Sequence, residues 1–357
     1  MRRNLRRGIL SWTLPAVAMA VAVLAAVLAG QPNAAGPASG RSVPLSSAST
    51  EADLVPRIVY LAHGAIGCYS AATQTTTVQR LPAGVSATSA MLLGHGVLTI
   101  GSNRVAYLWH DGTLTRLGRA GSAVPTYDGT GAWLAARGWA RRIDRLGRPV
   151  AGPRIAVPAN SWLVGTTRSG LIATSGTAVV PGETMQLRAG MPPVVLTHGR
   201  ALSVAAGKVL VGSGNRLSLL DLRAGTERRL PTLTAVIATG RGTLSPDGRS
   251  FAVTARTVDH RRLIVGPTTA GNAGSLRVLP LTNEPQQNIP PGSGRDLAEP
   301  RWVANQIVLA ARTDGRLVEY ELGTDNGWLP RHAPAVVSDL ARGLTTTTAA
   351  CPGRAVQ

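Results

Sequence analysis

The chain has 357 residues, enough for one large repeat fold or two ordinary domains. Hydrophobic residues make up 44% and charged residues 15%, which excludes a disordered chain, while 41 Gly and 24 Pro ask for many turns and favour an all-β fold. Two cysteines exclude a disulfide framework and a four-ligand zinc site, and of the 37 basic residues behind a net charge of +19 only Lys208 is a lysine.

Residues 1–7 form a basic segment with Arg2, Arg3, Arg6 and Arg7 and no acid. Residues 8–30 carry no charge, and at about 1.5 Å per residue they make a helix of roughly 34 Å, long enough to cross a bilayer. The arginine cluster ahead of the apolar run holds the N-terminus in the cytoplasm and places everything beyond residue 40 outside it. The expectation is a single-pass cell-membrane protein with an uncleaved anchor. Secretion after cleavage near Val27, Leu28 and Ala29 stays open as the alternative. Residues 31–56 are rich in Ala, Gly, Pro and Ser without an apolar period, and read as a disordered linker.

From residue 57 one hairpin recurs: IVYLAHGAIGCY, MLLGHGVLTIGS, TYDGTGAWLAAR, VGTTRSGLIATS, SVAAGKVLVGSG, LSPDGRSFAVTA and RWVANQIVLAAR. Its turn positions are Gly64, Gly96, Gly131, Gly170, Gly207, Gly248 and Asn305, 32 to 57 residues apart. Gly and Asn accept the positive φ that a two-residue hairpin turn needs. A looser strand pair follows most copies, as in LSLLDLRAGTERRLP from Leu217. Four short strands in about 40 residues is the period of a propeller blade. Residues 57–351 are therefore expected to form a seven-bladed β-propeller, with six or eight blades as alternatives, and residues 352–357 a tail. The long sixth step is an insertion at 282–298, a Pro- and Gly-rich loop between the sixth and seventh blades. The stretch from Val336 to Leu344 reads as a short helix or a last strand.

Leu244-Ser245-Pro246-Asp247-Gly248-Arg249 followed by Phe251-Ala252-Val253 resembles the SPDG signature of the TolB-type WD40-like repeat. Glu299-Pro300-Arg301-Trp302, with Ile307-Val308-Leu309 after it, is similar to the same unit with VANQ in place of SPDG. The resemblance implies an extracytoplasmic propeller that binds partners and has no chemistry of its own. No separate partner-docking domain precedes the repeats, which departs from the TolB pattern.

Cys68 lies in the first repeat and Cys351 near the C-terminus, so a closed ring brings the two together. Outside the cytoplasm they are expected to form a disulfide, with a buried thiol and a tail thiol as the alternative. His63 and His95 precede Gly64 and Gly96 in what reads as one turn position on one face. They are weak metal or proton-transfer candidates beside the simpler reading as turn residues, and no cofactor or metal is expected. Asp111, Asp247 and Asp314 each precede a glycine and read as turn formers. The arginine pairs at 141–142, 228–229 and 261–262 read as solvated strand edges, and Trp109, Trp133, Trp162 and Trp302 as core. No nucleophile elbow, phosphate loop, zinc-protease or dinucleotide motif is present in the sequence.

Without the four N-terminal arginines the outer part has 33 basic and 18 acidic residues, a net +15. The reading is a monomeric, non-catalytic scaffold that recognises an envelope protein. The alternatives are a hydrolase or lactonase with its site at the central channel, and a binder of anionic glycan, surface polymer or lipid. Nucleic acid is not expected, given the topology and few aromatics to stack on bases.

Overall fold

The structure, a computed structural model, describes residues 57–347 except 63, 71–74, 177–181, 232–235, 258–260, 270–275, 281–299, 306, 312–316, 323–327 and 332–339. The basic segment, the apolar run, the linker, the 282–298 insertion and the tail lie outside the described residues, as do His63, Cys351 and Asp314.

The described residues form seven four-stranded antiparallel sheets. The first contains β1 (Arg57–Ala62), β2 (Ala65–Ser70) and β3 (Thr75–Arg80). The second is β4 (Ala87–Leu93), β5 (Gly96–Gly101), β6 (Val105–His110) and β7 (Thr113–Arg119), and the third is β8 (Ser122–Pro125), β9 (Gly131–Ala136), β10 (Trp139–Asp144) and β11 (Ile155–Ala156). The fourth is β12 (Trp162–Thr167), β13 (Gly170–Thr174), β14 (Glu183–Leu187) and β15 (Val194–His198), and the fifth is β16 (Arg200–Ala205), β17 (Lys208–Ser213), β18 (Arg216–Asp221) and β19 (Thr226–Arg229). The sixth is β20 (Val236–Leu244), β21 (Ser250–Thr257), β22 (Arg261–Pro267) and β23 (Arg277–Pro280), and the seventh is β24 (Arg301–Ala304), β25 (Ile307–Ala311), β26 (Leu317–Leu322) and β27 (Trp328–Arg331).

Six of these sheets are simple meanders in sequence order, whereas the first is completed by β28 (Leu340–Thr347), giving the order β28-β1-β2-β3. Thr345 pairs with Val59 and Thr347 with Arg57. The described part of the stretch left open as helix or strand, from Leu340 on, is therefore a strand, and it joins the two ends of the fold. The first strands of successive sheets meet side by side, β4 to β8 to β12 to β16 to β20 to β24 to β28, and β28 returns to β4. The sheets thus form a closed ring around an axis.

Closure by the last strand changes one sequence expectation. The turn at Gly64 joins the second and third strands of its sheet, whereas the turn at Gly96 joins the first and second. Gly64 lies against Val85, just before β4 starts, and accepts a hydrogen bond from the Leu81 amide. Gly94 to Gly96 lie just after β4 ends. The two turns sit at opposite ends of a strand roughly 20 Å long and do not share a face.

The core lies between the sheets. Val59, Ile66 and Cys68 pack on Val97, Tyr107 and Trp109; Leu98 and Leu108 pack on Leu134 and Ile143; and Val124 and Ile155 pack on Leu171 and Met185. Ile172 meets Val209 and Val211, Leu210 and Leu219 meet Phe251 and Val253, and Leu263 and Val265 meet Trp302 and Val308. Consecutive residues of a middle strand thus face different neighbours. Every residue of β5 is buried, so its sequence is a continuous apolar run rather than an alternation. Each such Leu, Ile, Val or Phe contributes about 1.5–3 kcal/mol on burial.

Candidate functional site

The inner strands cannot all ladder with one another around the ring, so side chains take over. The Leu163 amide of β12 donates to the Ser122 hydroxyl of β8 at 2.9 Å, and the Leu244 amide of β20 donates to the Ser203 hydroxyl of β16 at 3.2 Å. The Trp302 indole donates to the Thr243 carbonyl across the next interface at 3.3 Å.

Several inner strands also carry one extra residue opposite their partner. These are Thr88 in β4, Val164 in β12, Leu202 in β16 and Val303 in β24. A bulge re-aims the extra side chain away from the regular pleat. Thr88, Val164 and Leu202 all line one cavity of about 630 Å³ at the axis. Its wall is built from β4, β8, β12, β16, β20 and β24, and its size is that of a small-molecule pocket. Trp162, Met91 and Leu92 supply half-buried apolar surface, and Thr88, Ser89 and Ser122 supply hydroxyls. Arg200 and Arg301 are its charged residues, and no carboxylate, imidazole or thiol is among the described lining residues.

At one rim of the ring the Ser245-Pro246-Asp247-Gly248 turn shows what its residues do. The Ser245 hydroxyl accepts from the Ser250 amide at 2.9 Å and donates to Asp247 at 2.6 Å, while Asp247 accepts from the Arg249 amide at 3.0 Å. Gly248 takes φ of 66° and donates its amide to the Ser245 carbonyl. Burial pushes the Asp247 carboxyl up, but the Ser245 hydroxyl, the Arg249 amide and the Arg249 charge together hold it below the usual carboxylate range. Asp247 is thus consumed by its own turn.

The third sheet repeats this device under other letters. The Thr126 hydroxyl accepts from the Gly131 amide at 2.9 Å, Asp128 accepts from the Thr130 amide at 3.1 Å, and Gly129 takes φ of 64°. Hydroxyls of Thr126 and Thr130, the Thr130 amide and the Arg142 guanidinium hold Asp128 far below the usual carboxylate range against a small desolvation penalty. Thr126-Tyr127-Asp128-Gly129 is a second SPDG-type turn that reading for the letters missed; the signal was a hydroxyl two residues before Asp-Gly.

The remaining sequence candidates stay apart. His95 is exposed in its turn after β4, and His63 lies outside the described residues. The turns at Gly64 and Gly96 lie at opposite ends of β4, so the equivalence of those two turns that the sequence suggested is corrected. Among the described residues no cluster of three potential metal ligands occurs. Asp111 has φ of 48° and sits 2.9 Å from the His110 Nδ1. Cys68 is fully buried in β2 and is not a free thiol.

Arg141 and Arg142 lie on an interior strand rather than at an edge. Arg141 donates to the Leu117 carbonyl of the neighbouring sheet, and Arg142 to Asp128 and Thr130. Trp109 and Trp302 are core, Trp162 lines the cavity, and Trp139 is exposed. Arg200, Arg301 and the bulge residues were not singled out as a site from the sequence.

No family model matches the sequence, and no curated protein does either. Among solved structures, a candidate 6-phosphogluconolactonase from Bacteroides fragilis superposes with a TM-score of 0.52 at 14% identity, covering 85% of this chain and 100% of its own. The Dos1 propeller superposes with a TM-score of 0.51 at 12% identity, covering 79% of this chain and 82% of its own. TolB from Acinetobacter baumannii reaches a TM-score of 0.46 at 13% identity over 82% of this chain and 67% of its own, and carries no argument. The first two likenesses show the fold alone, a β-propeller.

Proposed function

We propose that the chain is a seven-bladed propeller, related to the TolB-type repeats, that binds a partner in the cell envelope without catalysing a reaction. Residues 8–30 tether it to the membrane, with the N-terminus in the cytoplasm and the blades outside as a monomer. The observation behind this reading is the axial cavity. Its described lining offers guanidinium, hydroxyl, indole and aliphatic groups, which hold a ligand, and lacks groups that move a proton or ligate a metal.

The Cys68–Cys351 disulfide belongs to the same reading. Val59 pairs with Cys68 on one side and with Thr345 on the other, so β28 ends two strands from Cys68. Those two strand spacings are about 10 Å, and the four residues after Thr347 reach about 13 Å when extended.

The lactonase alternative draws only on the fold likeness to the Bacteroides fragilis protein. Affinity capture from detergent-solubilised envelope with the full chain as bait tests the proposal, alongside a panel of lactones and esters with and without divalent metal. A discrete protein retained through a high-salt wash, with no turnover, is the expected result. Hydrolysis of any panel member would overturn the non-catalytic reading, and anionic polymer or lipid released by salt would replace the protein partner.

A further inference from the structure

We infer that the face of the ring carrying the turns between second and third strands is the docking surface for an acidic segment of a protein partner. The inference rests on the binding reading above and names the chemistry of the partner.

An antiparallel meander returns the turn between its second and third strands to the same end in every sheet, so these turns share one face. Arg104 sits in the turn between β5 and β6, Arg137 in the turn between β9 and β10, and Arg216 opens β18. Arg119 ends β7 on the same face, where the Ala120 amide donates to the Arg104 carbonyl at 2.9 Å. The Gly121 amide then donates to the Ala135 carbonyl at 2.7 Å, which carries the surface from Arg104 past Arg119 to the hairpin of Arg137. All four arginines are exposed, and among the described residues no hydrogen bond or ion pair engages their side chains.

The acids lie elsewhere. Of the six between residues 86 and 230, Asp111, Asp128, Asp144 and Asp221 belong to turns on the opposite face. Glu227 is taken up by the hydroxyls of Thr197 and Ser218, which leaves Glu183, beside His198 at the start of β14, on the arginine face.

Backbone conformation marks the same arginines. Arg104 takes φ of 55° and Arg137 φ of 49°, in the left-handed region where a side chain is strained and glycine is not. Strain borne by two arginines on one face points to side chains kept for what they meet rather than for the turn. Trp139, two residues past Arg137, is 51% exposed. Arginine and tryptophan are the residues that anchor protein interfaces. A lipid surface engages several apolar tips, and the exposed Tyr127, Leu146 and Met191 stand on the opposite face. Gly121 and Ser122 line the axial cavity directly after Arg119, so the surface runs into the cavity mouth. Guanidinium holds a carboxylate through two parallel donors, and a segment of acids around an apolar side chain therefore complements this face.

Calorimetric titration of the detergent-solubilised full chain tests the surface, with a short peptide of glutamates around one leucine, its glutamine counterpart, dextran sulfate and phosphatidylglycerol micelles. The glutamate peptide is expected to bind about tenfold more tightly than the glutamine peptide, with affinity falling as salt rises. R104G and R137G are each expected to weaken it about threefold without lowering the unfolding midpoint, since glycine accepts the positive φ. W139A is expected to weaken it about tenfold. R168Q and R223Q, on exposed loops of the opposite face, are expected to leave it unchanged.

Equal binding of the two peptides overturns the acidic-segment surface, and this comparison needs no variant to fold. Weakening by R168Q or R223Q equal to that by R137G also overturns it. Equal losses for dextran sulfate or for the micelles in R104G, R137G and W139A would assign the face to polymer or lipid and overturn the protein partner. Capture of the same envelope protein by the R104G/R137G/W139A chain as by the parent overturns the surface and leaves the binding reading standing. Hydrolysis in the lactone panel sinks the non-catalytic reading and leaves the surface in place.

Discussion

Asp128 and Asp247 each accept a backbone amide two residues ahead and touch the hydroxyl that opens their turn, so each binds a proton less readily folded than unfolded. Asp144 and Asp221 are shifted in the same direction by their own turn amides and nearby basic groups, against burial. With folded values below the unfolded value of about 3.9, these carboxylates stabilise the fold above that pH and lose their effect as pH falls through the folded values. Thermal unfolding followed from pH 6 to pH 3 should show a falling midpoint, and the D128N/D247N variant a shallower fall from a lower start. Gly131 closes the Thr126 turn under a different constraint. A Cβ there would stand 2.0 Å from the Ile143 carbonyl oxygen, so backbone must shift. Gly131→Ala should destabilise by about 2 kcal/mol or more, read as a lower denaturant midpoint at unchanged slope. The SPDG letters were legible at this scale, but Thr126-Tyr127-Asp128-Gly129 was not, because the turn needs a hydroxyl and a carboxylate in position and tolerates Tyr for Pro.

Six of the seven repeated hairpins join the first and second strands of a sheet, and the sequence pattern located all six. The first copy is offset by one strand because β28 supplies the inner position of that sheet. Its partner β1 lies almost the whole chain away, so no local hairpin signal marks it, and a Thr-rich segment has little apolar period of its own. The offset is also why His63 and His95 looked equivalent. Removing residues 340–357 would leave β1 as an open edge and uncover apolar surface at the ring's seam. The unfolding midpoint should fall by about 10 °C or more, at roughly 2–4 °C per kcal/mol for a domain of this size. The proposed disulfide makes a separate forecast. Closing a loop this long stabilises by up to about 4–5 kcal/mol in the chain-entropy account. Reductant should lower the midpoint of the native chain and leave that of Cys351→Ser unaltered; an equal drop in both would remove the disulfide.

At the scale of the molecule, the ring and its period were legible because second strands such as β5, β13 and β17 are buried on both faces and read as largely apolar runs. The axial cavity was not. Its lining is drawn from six strands spread from Thr88 to Arg301, each giving a few residues whose shared destination depends on the ring closing. Arg200 and Arg301 looked like two more arginines in an arginine-rich chain. The excess of basic residues is similarly reassigned in part: Arg141 and Arg142 are half-buried and fasten neighbouring sheets and turns. Because Thr347 pairs with Arg57, the two ends of the ring are adjacent, and the natural break in the chain is one of several equivalent places to cut. A permutant that links residue 357 to residue 57 and opens within 282–298 should fold, with a midpoint within a few degrees of the parent; failure to fold would show that the order of assembly matters. That order has a biological face. The strand that completes the first sheet is made long after the strand it pairs with, so a product terminated before residue 340 can stack most of its sheets yet can never shut. An unsealed ring keeps an edge within reach of proteases and holding chaperones, so β28 is the strand whose arrival decides whether the fold is protected.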